Sequence, residues 1–227
     1  LGVVQEGNDK FRLIHDGTHL VQVNHRIRVR DYVGCPAAQD IKAVEHEMAA
    51  DEPDEINGDE DDSGWHGMVG DMDGAHRTIA VAEEDWGLQA CEPLGQAPPE
   101  AAPRRGRPGD ALLCVNKVGT FGMASAGYWW GRWVAMAERL LHYFAPEELR
   151  EFWAMIFADD FKVTARGHRW YELFAVVLAI WALLWAQIKW SKGGGGKEYV
   201  WVGYEECLRQ FRLGLSSSRM QWLLAWL

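Results

Sequence analysis

The feature that most constrains this chain is Phe157-Ala158-Asp159-Asp160. An apolar run from Trp153 to Ala158 ends in two adjacent carboxylates, and a second strand-like segment, Phe161 to Thr164, follows at once. An apolar strand that turns straight back predicts a hairpin. Asp favours turns, so the tetrapeptide reads as an ordinary acidic bend. It also reads as a cation site, because adjacent like charges raise each other's pKa and a divalent cation beside them relieves this. A second acid source favours the cation. Gly67-Met68-Val69-Gly70-Asp71 is again a short apolar strand ending in a carboxylate. If the two strands pair, Asp71 and Asp159 converge at one end of a sheet. Carboxylates so placed hold two Mg²⁺ ions, which activate a 3′-hydroxyl and stabilise a leaving pyrophosphate. Asp73 would share a strand face with Asp71 and competes for the ligand role.

The remaining pattern is mixed. Residues 11–15 and 20–30 alternate as strands, and in His25-Arg26-Ile27-Arg28-Val29-Arg30 the arginines fall at every second position. A strand places them on one face, either a solvated edge or a phosphate-facing stripe. Helices are expected over 40–50, 122–143 and 170–184, with a helical turn from Ala75. Short strands are expected over 68–71, 86–91, 112–118 and 187–190. A hairpin is expected from Tyr199–Tyr204 and Phe211–Leu213, and a terminal helix capped from Ser216–Ser218. Trp129, Trp130, Trp133, Trp181 and Trp185 have helical spacing and read as core. Interleaved helices and hairpins predict an α+β fold, a small antiparallel sheet with helices packed on one face.

Composition sets the outer bounds. With 227 residues and 48% hydrophobic side chains, the chain is globular, one large domain or two small ones. Its four cysteines are far apart in sequence and form no C-x-x-C pair, which argues against a disulfide scaffold or a Cys-rich zinc site. Leu173 to Ile188 is uncharged but only 16 residues long, a buried core helix rather than a membrane span. No membrane partner is expected, and an intracellular setting, nucleus or cytoplasm, is. The net charge of −10 argues at first against a nucleic-acid partner. However, residues 51–62, DEPDEINGDEDD, hold eight of the 33 acids and no base. Outside this solvated insertion the balance is close to neutral, and Arg104, Arg105 and Arg107 form a basic loop. The chain begins at Leu1 and stops inside an apolar helical pattern, as a fragment of a longer protein would.

Taken in order, these motifs resemble the reverse transcriptases. Asp71 followed by Ala75 and the ring of His76, then Phe121-Gly122-Met123-Ala124-Ser125-Ala126, then Phe157-Ala158-Asp159-Asp160, are similar to palm motifs A, B and C of that family. Upstream, Arg12, Asp16 and Asn24 resemble a fingers motif. Downstream, Trp190-Ser191-Lys192 resembles the motif D lysine turn and Trp201-Val202-Gly203-Tyr204 the primer grip. The likeness runs from about residue 10 to residue 215, and the Phe121 form is nearest to retroelement enzymes.

The resemblance implies a palm with partial fingers. It divides the chain into fingers over 1–66, palm over 67–205, and palm end with the start of a thumb over 206–227. It implies an RNA-directed DNA polymerase domain of a retroelement-like protein, adding nucleotides by a two-metal mechanism. Asp71, Asp159 and Asp160 would hold two Mg²⁺ ions, or Mn²⁺ in their place, and Lys192 would act as general acid. Arg12, Asp16, His76, Phe121 and Gly122 would bind the nucleotide. The implied partners are an RNA or DNA template with its primer, deoxynucleoside triphosphates, and missing domains of the parent protein. His76 stands where Tyr or Phe is usual, and Gly127 where Pro is. The alternatives are an inactive remnant that at most binds nucleic acid, an RNA-templated RNA polymerase, and a structural or membrane-associated protein.

Overall fold

The computed structural model describes residues 2–6, 10–18, 22–51, 64–91 and 113–227. The acidic run beyond Asp51 and the basic loop with Arg104, Arg105 and Arg107 lie outside the described residues. The chain divides into two compact units, each discontinuous in sequence. One comprises Leu1–Tyr32 and His76–Gly131, the other Val33–Ala75 and Arg132–Leu227.

In the first unit, β1 (Gly2–Glu6) and β2 (Lys10–Ile14) form an antiparallel pair. The strand expected over 20–30 does not extend through its described residues. α1 (Val23–Arg26) is a single helical turn, and Arg28 and Arg30 follow in irregular chain. Tertiary bonds to Asn24 override the local alternation: its side-chain amide donates to the Gly122 carbonyl at 2.7 Å, and its side-chain oxygen accepts from the Ala124 N–H at 2.9 Å. The arginines therefore do not form the predicted strand stripe. Of the strand expected over 86–91, only β4 (Ala90–Cys91) forms, because Glu83–Gln89 is a 3₁₀ helix. It pairs antiparallel with β5 (Cys114–Val115). The first residues of α3 (Ala124–Phe144) also belong here, and Met123 and Ala126 bury themselves against Val23.

The second unit contains a four-stranded sheet of order β6-β7-β3-β8, antiparallel throughout. Its strands are β3 (Trp65–Asp71), β6 (Phe152–Phe157), β7 (Asp160–Arg166) and β8 (Gly194–Gly196). β8 is an edge strand made only of glycine. The backbones close tightly: a Cβ on Gly195 would strike the Gly67 carbonyl. β3 and β7 pair in unbroken register from Trp65↔Arg166 to Asp71↔Asp160. The period-2 rule then sorts the side chains. Phe161, Val163 and Ala165 are buried on one face. The later turns of α3 and the apolar α4 (Trp170–Leu183) lie against this face, with Phe161 and Trp181 rings 6.1 Å apart.

Helices do not cover only that face. Trp65, Val69, Lys162 and Thr164 are on the other, and α2 (Ala38–Ala50) packs there through Ile41, Val44 and Met48. These three recur at helical spacing, which gives α2 one apolar stripe, and Asp40 accepts the Ala37 N–H at its start. The same core takes Tyr199, Trp201 and Leu208 from a meander of β9 (Glu198–Trp201), β10 (Tyr204–Cys207) and β11 (Arg212–Leu215). Tyr199 to Tyr204 is thus not one strand. Val202 and Gly203, both at positive φ, turn the chain within it. The terminal helix α5 (Ser217–Trp226) starts after Ser216, with no side-chain cap. Among the expected core tryptophans, Trp130 and Trp181 are buried, but Trp129 is 54% and Trp185 86% exposed. Among the described residues, no helix is long and apolar enough to cross a membrane.

Candidate functional site

The acidic site is built by the β3–β7 register. Asp71 is the last residue of β3 and Asp160 the first of β7. They are direct partners, so their side chains leave the same sheet face. Asp159 lies with Ala158 in the two-residue connection from β6 to β7. Ala158 has φ 53°, a left-handed conformation that costs an L-residue about 1 kcal/mol. This turn lets the Asp159 carbonyl accept the Met72 N–H at 2.8 Å, tying the hairpin tip to the end of β3. Asp73 is exposed in the turn after β3, and its N–H is donated to the Gln187 carbonyl. The strand ends before Asp73, so the shared face that made it a rival to Asp71 does not form.

Segment 187–192 is stitched to the same strand end. Met72 bridges Ile188, and the Lys189 N–H is donated to the Asp71 carbonyl at 2.8 Å. The strand expected at 187–190 is reduced to that one bridge, followed by the 3₁₀ turn Trp190–Lys192. The turn brings the Lys192 ammonium onto the Asp71 carboxylate. This hydrogen bond, above all, raises the Lys192 pKa. Asp71 is buried. The Asp160 carboxyl is raised above its ordinary range, first by burial and then by Asp159 and Asp71, with Lys192 opposing them. Among the described residues, no group of three or more His, Cys, Asp or Glu is gathered closely enough to hold a metal ion.

The other expected residues belong to the first unit. Gly122 has φ 91°, and a Cβ there would run into the His15 carbonyl. The His15 N–H is donated to the Phe121 carbonyl at 2.9 Å, so β2 and the Phe121-Gly122 turn form one backbone assembly. The His76 ring meets Phe121 edge-on at 4.9 Å. A Cβ on Gly127 would sit 3.7 Å from the His76 ring, ordinary contact. Burial lowers the His15 pKa. Asp16 is exposed, and its carboxylate accepts the Thr18 N–H at 3.0 Å, a local turn. Arg12 sits on β2 opposite Val4, and its side chain lies outside the described residues.

Two features escaped the sequence reading. Asn24 is a structural clamp that holds both sides of the Phe121-Gly122 turn. Beneath the second unit's sheet, Lys162 is ion-paired to Glu206 at 2.8 Å, with side chains 1% and 0% exposed. Tyr199 donates to the same Glu206 oxygen, and the buried Glu45 lies close enough for Glu206 to raise its pKa. No local pattern signals this network, because its members come from four separate elements.

No family model and no characterised protein sequence matches the chain. Among solved structures it is similar to apo telomerase from Candida tropicalis, truncated from its C-terminal domain. The TM-score is 0.52 at 11% identity, over 86% of this chain and 42% of that one. It is also similar to telomerase from Candida albicans in complex with a TWJ fragment of telomeric RNA. There the TM-score is 0.54 at 8% identity, over 82% of this chain and 35% of that one. The chain spans less than half the length of these structures. At such low identity the likeness concerns the fold alone, a mixed helix and antiparallel sheet arrangement like that of these telomerase structures.

Proposed function

We propose that this chain is the palm, with part of the fingers, of a retroelement-like reverse transcriptase, and that it adds deoxynucleotides to a primer 3′ end on an RNA or DNA template. The observation that carries this is the pairing of Asp71 with Asp160 on one face, Asp159 in the adjoining turn and Lys192 seated on Asp71. The telomerase-like fold and the order of the motifs support it.

The residues suit a divalent cation. The donors are carboxylate oxygens, which hard cations prefer. The Asp160 carboxyl is raised first by burial and then by Asp159 and Asp71, and a bound cation would oppose both effects. Asp71, Asp159 and Asp160 would hold Mg²⁺ or Mn²⁺, which supplies charge neutralisation and activation of the 3′-hydroxyl. Lys192 stays protonated through neutral pH while Asp71 holds it, and a proton kept there is available to the departing pyrophosphate. In the first unit, Gly122 admits the His15 carbonyl that ties the end of β2 to its turn, and His76 with Phe121 would present a ring pair to a nucleotide. Arg12 suits a triphosphate through its guanidinium fork.

Primer extension with Mg²⁺, using the full-length parent protein, tests this reading. Asp159→Ala is expected to abolish extension, and undiminished extension by that variant would overturn it. A second reading is an inactive remnant that at most binds nucleic acid. Template binding without extension by the unmodified protein would decide for it.

A further inference from the structure

The sequence separates its four cysteines widely, yet the fold sets two of them face to face. Cys91 on β4 and Cys114 on β5 are direct antiparallel partners. Directly opposed residues in such a pair have Cα atoms about 4.5–5.5 Å apart and side chains on one face. A disulfide takes Cα separations of about 4.4–6.8 Å. Cys91 already turns its thiol to the neighbouring strand, donating to the Cys114 carbonyl at 3.5 Å. Both are free thiols, Cys114 exposed and Cys91 half-buried, so a small reagent reaches them.

The register of this short pair is fixed from outside it. The Asn116 N–H is donated to the Gln89 carbonyl at 3.4 Å, and the Asn116 side chain to Gln89 Oε1 at 3.1 Å and the Val118 carbonyl at 2.8 Å. Val118 in turn bridges Ala80, the Val81 N–H is donated to the Lys117 carbonyl, and the Lys117 ammonium lies 4.0 Å from the centroid of the Trp86 ring. A slip by one residue would break these bonds together. The other two cysteines lack such an arrangement. Cys35 is exposed, and Cys207 is buried and donates to Glu198.

We infer that Cys91 and Cys114 form a redox-active dithiol, closed to a reversible intrachain disulfide by a low-molecular-weight disulfide such as oxidised glutathione. The exposed Cys114 thiolate attacks one sulfur of the oxidant, forming a mixed disulfide and releasing one glutathione thiolate, which takes up a proton. The Cys91 thiolate then attacks the Cys114 sulfur and expels the second glutathione. Two protein thiols lose two electrons and two protons, and the oxidant becomes two thiols. With at least one sulfur at the surface, excess thiol reverses the reaction. The inference is independent of the polymerase reading, since it rests on strand register alone.

The test treats the native chain with oxidised glutathione, quenches it in acid, blocks remaining thiols with N-ethylmaleimide after denaturation so that buried Cys207 is reached, and maps peptides by mass spectrometry without reduction. The expected product carries a Cys91–Cys114 cross-link, with label retained at Cys35 and Cys207, and dithiothreitol restores labelling at all four cysteines. Cys114→Ser is expected to leave Cys91 unlinked, and a Cys35→Ser, Cys207→Ser double variant to keep the cross-link. Far-UV circular dichroism before and after oxidation confirms that the folded chain is being read. Separate glutathione adducts on Cys91 and Cys114, or cross-links spread over all four cysteines in the folded chain, would overturn the inference.

Discussion

At the scale of single residues, the positions that matter most are those where backbone conformation leaves no alternative. Gly122 combines a positive φ with direct approach to the His15 carbonyl, so a side chain is excluded both by strain and by space. Gly122→Ala is expected to destabilise the protein by about 1–3 kcal/mol, read from urea unfolding. Unchanged unfolding would show that the turn relaxes freely. The sequence pointed to Gly122 through the motif around it, but the reason for glycine, a carbonyl arriving from β2, comes from over a hundred residues away. Ala158 is the opposite case. It carries left-handed strain that glycine would not feel, and that conformation turns the chain into Asp159 and Asp160. Its identity was legible, its conformation was not.

At the scale of elements, α2, β7, β9 and β10 meet around charges rather than around apolar atoms alone. Removing water from Lys162 and Glu206 costs several kcal/mol for each ion, so their attraction does little more than offset that cost. Breaking the pair is another matter. Glu206→Ala is expected to cost about 3–5 kcal/mol by leaving Lys162 buried and uncompensated. The Lys162→Met, Glu206→Leu double variant is expected to fall much nearer the parent. A double variant as unstable as the single would show that the pair itself, not the orphaned charge, holds these elements together. The sequence located most of these elements, since their apolar stripes have the right period. It did not reveal that α2 lies on the face opposite α3 and α4. Face assignment depends on which residues of β3 and β7 are in register, and both faces of β3 are buried. Alternation therefore carried no signal there.

The molecule as a whole reports its buried acid through pH. Glu45 is raised from 4.5 to about 7, first by burial and then by Glu206, while Lys162 works against the shift. Tyr199 also lies in this cluster, and Lys42 and His46 flank Glu45 on α2. Below pH 4.5 the carboxyl is neutral in both the folded and the unfolded chain. Between 4.5 and 7 only the unfolded chain gives up the proton, so this contribution to stability is lost as pH rises, and above 7 the loss is complete. The largest effect is about 3 kcal/mol. Glu45→Gln is expected to remove that part of the slope, so the difference in Tm between variant and parent should widen from pH 5 to pH 8 in the variant's favour. A difference that stays constant would place Glu45 outside the buried network.

The sequence by itself determined the order of motifs, the α+β class and the two acidic strand ends, because period and turn chemistry are local and survive without neighbours. Tertiary structure alone decided which residues face one another. It paired Asp71 with Asp160, seated Lys192 on Asp71, broke the arginine stripe by placing Arg26 in a helical turn and Arg28 and Arg30 in irregular chain, and set Cys91 opposite Cys114. Each is a matter of register and closure between segments far apart in the chain, and no short-range pattern encodes the distance between them.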